Sequence, residues 1–187
     1  MAECAKLTGD WDKLDKMLAN NPIKKAISKA RAQIGIKGAS LVKKGIQSGA
    51  PGGKTFEALS SFTTERKGSS KPLIDNGDLI GAVSYAPVGS SDVFIGVKRG
   101  VKRKGNDDVV DLAAVHEYGC TLENGYAIKV TPKMRAYLHY QGVHLFPSTK
   151  YIVIPERSFL RTTFASDEFQ EMMSETGIEC LKEVLHP

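Results

Sequence analysis

Pro72-Leu-Ile-Asp-Asn-Gly-Asp-Leu-Ile-Gly-Ala-Val-Ser-Tyr85, followed after a break by Val93-Phe-Ile-Gly-Val97, is the stretch that decides the fold class. Asp75-Asn-Gly-Asp78 is turn chemistry: Asn and Asp side chains bond their own backbone, and Gly77 supplies a positive φ at no steric cost. Beyond the turn, Leu79, Gly81, Val83 and Tyr85 alternate with Ile80, Ala82 and Ser84, the period of a strand. Pro87 to Asp92 interrupts the pattern, and Val93–Val97 resumes it, so the reading is a β-hairpin entered through a turn.

Working outward, the long segment before the hairpin is helical. Asn21 suits an N-cap and Pro22 the first helical position. Ile23, Ala26, Ile27, Ala30, Ile34, Leu41, Val42 and Ile46 then form an apolar stripe, with most lysines off it. The spacing predicts one long amphipathic helix ending near Ser48-Gly49, weakened by Gly35, Gly38 and Gly45 at up to ~1 kcal/mol each. Trp11, Leu14, Met17 and Leu18 predict a shorter helix over 10–20. Thr55 reads as the cap of a helix through about Glu65, carrying Phe56, Leu59 and Phe62.

After the hairpin, Asp111 to Tyr118 reads as a helix capped by Asp111 and stopped by Gly119. Ala127–Val130 is a short strand, and Thr131-Pro132 opens a helix stopped by Gly142. Val143–Phe146 with Tyr151–Ile154 predicts a second hairpin. Ser166-Asp-Glu168 caps a final helix whose Phe169, Met172, Met173, Ile178, Leu181 and Val184 face the core. The order predicts an α+β fold, a mainly antiparallel sheet with a long N-terminal helix and a C-terminal helix packed against it. Residues 1–54 form a helical arm and 55–187 an α+β body, together one structural unit.

The 187 residues are 41% hydrophobic and 25% charged, which suits one packed domain rather than a disordered chain. No apolar run is long enough for a bilayer span and the N-terminus lacks a signal-peptide layout, so the expectation is a soluble protein made in a cytoplasm, with no membrane partner. Cys4, Cys120 and Cys180 match neither a disulfide framework nor a zinc pattern and read as reduced bystanders. The net charge of +5 is unevenly spread. Residues 1–54 hold eleven Lys/Arg against four Asp/Glu, and residues 155–187 hold three against seven, a split that suits a polyanion near the N-terminal half, complementary ends meeting between subunits, or simply a solvated helix face.

Candidate chemistry is sparse. His116-Glu117 lacks the second histidine, one turn on, that a zinc-binding helix needs, because position 120 is Cys. There is no nucleophile elbow and no phosphate-binding glycine motif, so neither an enzyme nor a cofactor is expected. Lys98, Arg99, Lys102, Arg103 and Lys104 form a basic tip suited to DNA or an acidic partner surface. Arg157, after Pro155, suits either a carboxylate on a neighbouring subunit or an internal pair with Glu117 or Glu156.

Four segments in order carry a resemblance: Lys71-Pro-Leu-Ile-Asp-Asn-Gly-Asp-Leu79 leading into Val-Phe-Ile-Gly-Val97, Ala113-Ala-Val-His-Glu-Tyr-Gly119, Val130-Thr-Pro-Lys-Met-Arg135, and Ile154-Pro-Glu-Arg-Ser-Phe-Leu160. Over residues 55–165 the chain resembles the phage virion morphogenesis family, the tail-completion and head–tail joining proteins of Mu-like phages. The resemblance implies a non-enzymatic structural protein assembled in a bacterial cytoplasm and located in the virion, at the neck or the head-proximal end of the tail. It further implies a homo-oligomeric ring, commonly of six subunits, around the channel through which genomic DNA passes, bordered by other neck, connector and tail proteins. It brings no catalytic residues. Asp75, Gly77, His116, Gly119 and Pro155 then read as fold determinants, and Lys43, Lys44 and Arg157 as intersubunit contacts, the basic N-terminal half meeting the acidic C-terminal helix of a neighbour. The alternative is a basic DNA-binding module without catalytic activity.

Overall fold

The computed structural model describes residues 21–89, 92–102, 108–123 and 126–185; the helix expected over 10–20 lies outside them. Helix α1, Pro22–Ser48, starts as the sequence predicts: Asn21 Oδ1 accepts the Lys24 N–H at 3.3 Å and Pro22 occupies the first turn. It ends at Gly49, in the left-handed conformation. Its three internal glycines are contact points rather than weak points. A Cβ at Gly35 would stand 2.5 Å from the Tyr85 ring, and one at Gly38 would stand 2.6 Å from Ile95 and 3.0 Å from Phe169. The helix gives up propensity there so that the hairpin and the last helix can approach its backbone.

The predicted hairpin forms, but it starts later than its alternation suggests. Asp78–Ala82 is a short helix, α3, headed by Gly77 at φ 84°, whose carbonyl accepts the Gly81 N–H at 2.9 Å. Leu79, Ala82 and Val83 are all buried, a helical spacing that the period-two reading passed over. Strand β1, Val83–Val88, then pairs antiparallel with β2, Asp92–Val97, placing Tyr85 opposite Ile95. One face of the pair lies on α1, and Arg31 Nη1 holds the Gly89 carbonyl at 2.9 Å.

Helix α2 spans Ser61–Lys67, capped by Ser60 rather than Thr55. Ser60 can cap because residues 54–60 run extended: Phe56 is buried and its N–H reaches the Gly49 carbonyl at 2.8 Å. Helix α4, Val109–Tyr118, is capped by Asp108, three residues before the expected Asp111. Strand β3, Ile128–Lys129, pairs with β4, Tyr151–Ile152, and helix α5, Pro132–Tyr140, lies between them, capped by Thr131. The expected partnership of 143–146 with 151–154 is not made: Arg135 donates to the carbonyls of Leu145, Phe146 and Thr149, which commits that backbone to a loop.

Helices α6, Leu160–Phe164, and α7, Asp167–Leu185, close the chain, with Ser166 Oγ accepting the Phe169 N–H. The fold is α+β, with long helices at either end of the described chain and two small antiparallel strand pairs. Phe159, Val42, Ile46, Val83 and Val109 centre the core, so α1 shares its core with the body beyond residue 54. Phe169 and Cys180 of α7 are buried, whereas Ile178 and Leu181 face outward, against expectation, because they lie across the helix from Thr176 and Cys180. Among the described residues no helix is long and apolar enough to cross a membrane.

Candidate functional site

Glu117 is the most heavily engaged side chain among the described residues, and sequence reasoning weighed it only as half of a metal pair or as a partner for Arg157. It sits in the last turn of α4, 4% exposed. Its carboxylate accepts Ser158 Oγ at 2.6 Å, the N–H groups of Phe159, Leu160 and Arg161 at 2.9, 3.0 and 2.9 Å, and Arg161 Nε at 3.2 Å. Those N–H groups open α6, so Glu117 caps a helix distant in sequence. Burial pushes its pKa up, but the hydrogen bonds from Leu160, Ser158, Arg161 and Phe159 outweigh that and hold it below the ordinary carboxylate value.

The ion pair expected of Arg157 belongs to Arg161, one turn on. Arg161 joins Glu117 and Glu156 Oε1, the latter at 3.0 Å, and lies 4.9 Å above the Tyr118 ring. Arg157 is 6% exposed and turned inward, donating to the carbonyls of Glu57 at 3.0 Å and Ala58 at 3.1 Å. It thereby satisfies the extended 54–60 segment and offers little to a neighbouring subunit. A cleft of about 610 Å³ opens beside this network, walled by Tyr118, Tyr126, Val115 and Cys120 with Glu156 and Arg161 at its polar side. Glu156 and Arg161 pair with each other at that polar side.

The other fold motifs stand close by. Gly119 has φ 70°, and a Cβ there would meet Glu156 N and Ile154 O at 3.0 Å. Cys120 and Ile154 exchange both backbone hydrogen bonds, the His116 carbonyl accepts the Arg157 N–H at 2.8 Å, and Pro155 lies between these two ties. Asp75 is exposed at the turn before Gly77. Cys120 and Cys180 are buried free thiols, and no group of three or more metal-ligating side chains occurs among the described residues.

The basic tip is anchored at its base. Asp108 accepts the Gly100 N–H at 3.0 Å and the Val110 N–H at 3.1 Å, and these bonds hold its carboxyl below the usual range. Lys98, Arg99 and Lys102 are exposed on that base; Arg103 and Lys104 lie outside the described residues.

The basic N-terminal and acidic C-terminal segments meet, and they do so inside one chain. Helices α1 and α7 run antiparallel, pairing Lys44 with Glu168 at 3.5 Å, Lys37 with Glu179 at 3.8 Å, and Lys29 with Glu183. Lys37 also donates to the buried Thr176 Oγ1 at 2.9 Å. Lys44 is thus spent on its own chain, while Lys43 is half-buried beside it.

Comparison with protein-family models, curated proteins and solved structures finds no match to this chain.

Proposed function

We propose that the chain is a structural subunit of a phage neck or tail-completion ring, a non-enzymatic protein that joins or terminates the tail around the DNA channel. The observation that carries this reading is the β1–β2 hairpin. Among the described residues it is a sheet of two strands, with no further strand on either outer edge. Its outward face shows Val88 at 50% and Phe94 at 46% exposure. An isolated two-stranded sheet with unpaired outer edges and an exposed apolar face is completed most simply by strands of neighbouring copies, and a repeated heterologous contact of that kind closes into a ring. The homo-oligomer, its neck and tail neighbours and its virion location follow from this reading and from the ordered motifs of residues 71–160. The test is sedimentation of the purified chain beside a Val88→Lys, Phe94→Lys variant. The large species is expected to shrink towards monomer without a change in Tm, and unchanged size would defeat the proposal.

A second reading, a DNA-binding module, is favoured by Lys98, Arg99 and Lys102, exposed together on the base that Asp108 fixes. Replacing them with Ser is then expected to flatten the salt dependence of DNA affinity by about 0.9 log units per lost phosphate contact. An unchanged slope would assign the loop to solubility.

A further inference from the structure

Residues 126–155 form a projection without a core of its own. None of these residues is fully buried, and α5 within it buries none of its nine. A helix that short is marginal in water unless something packs on it. Yet the projection is tied together by its own hydrogen bonds: the β3–β4 ladder and the Cys120–Ile154 bridge close its base, and Arg135 donates to three carbonyls of its far loop. What this scaffold presents is aromatic: Tyr140 is 85% exposed, Phe146 78% and Tyr137 51%. The segment that carries the aromatics is basic. From 124 to 155 the sequence has four Lys/Arg and no Asp or Glu, and Lys129, Lys133 and Lys150 are exposed.

The complementary surface lies on the same chain. Helix α7 carries six acids and one lysine. Three of the acids face α1 and are engaged by Lys29, Lys37 and Lys44. Asp167, Glu171 and Glu175 remain on the outward face, and Ile178 and Leu181 continue that face as an exposed apolar strip. Exposed aromatics on a segment of one sign of charge are the anatomy of an interface anchor, and α7 offers the opposite sign beside apolar area.

Resting on the ring reading, we infer that the projection docks on the outward face of α7 in a second copy of this chain, Tyr137, Tyr140 and Phe146 covering Ile178 and Leu181 while Lys129, Lys133 and Lys150 face Asp167, Glu171 and Glu175. The two surfaces differ, so the contact is heterologous and propagates from copy to copy. The hairpin edges and this contact are separate seams of one assembly.

A photo-crosslinking residue at Tyr140 of the full-length chain tests the inference, with a second probe at Val88 reporting on the hairpin seam. The Tyr140 probe is expected to give a crosslinked dimer with the link within 167–181. Lys129→Glu, Lys133→Glu, Lys150→Glu is expected to lower its yield about tenfold through like-charge repulsion. Adding Asp167→Lys, Glu171→Lys, Glu175→Lys to that variant is expected to restore it, a rescue that misfolding would not produce. Links elsewhere, absence of a dimer, or transfer of the link to added single-stranded DNA would overturn the inference. A Val88 dimer without a Tyr140 dimer would overturn it while leaving the ring reading intact; loss of both would overturn both.

Discussion

The Glu117 carboxylate ties the end of α4 to the start of α6. Glu117 accepts one hydroxyl and three amides from Ser158 to Arg161, so truncation strands four buried or half-buried donors at once. Glu117→Ala is expected to cost about 3–5 kcal/mol, as for other broken buried charge networks, measured by urea unfolding. Glu117→Gln keeps one acceptor and is expected to cost about 1–3 kcal/mol. The sign of the pH dependence follows from the lowered pKa. The unfolded chain binds the proton more readily, so the carboxylate's stabilisation is complete above the ordinary value of 4.5 and is lost as pH falls through the lower folded value. The gap between wild type and Glu117→Gln therefore narrows as the medium is acidified from neutrality to about pH 3, and a constant gap would contradict the network. At Gly119, two residues on, φ 70° and the 3.0 Å approach of Ile154 and Glu156 leave no room for a side chain. Gly119→Ala is expected to destabilise by more than about 1 kcal/mol in the same assay.

At the scale of elements, what the sequence made legible was local chemistry. The Asn21-Pro22 start, the Gly49 stop and the Thr131 cap rest on side chains within a few residues of the groups they serve, and they stand where expected. What stayed hidden was set by distant partners. Arg157 holds 57–58 extended and Arg135 holds 145–149 in a loop, each overriding a local preference by satisfying carbonyls. Glu117 was visible as a residue but not as a cap, because the helix it caps begins some forty positions later. The α1 glycines read as weakness because their neighbours, Tyr85 and Ile95, come from the hairpin. Gly35→Ala separates the two readings. Propensity alone predicts a gain of about 1 kcal/mol, whereas the 2.5 Å approach to the Tyr85 ring predicts a net loss; calorimetry gives the sign. The α1–α7 pairs are exposed, so Lys44→Glu is expected to change stability by less than about 1 kcal/mol despite its reversal of charge.

Among the described residues, three exposed surfaces stand out on the packed body: the hairpin, the aromatic 126–155 segment and the outward strip of α7. They fall on different elements, as head-to-tail assembly requires and a two-fold dimer does not. The opposite charges of the two chain ends meet within one chain, Lys29, Lys37 and Lys44 of α1 pairing with Glu183, Glu179 and Glu168 of α7. In the proposed function these surfaces close a ring. Light scattering of the purified chain at low and physiological salt, with negative-stain images of the largest species, tests it most directly. The account predicts a mass that is a fixed multiple of 20.3 kDa and particles with a central hole. A monomer at both salts, or a two-fold dimer without a hole, would contradict it.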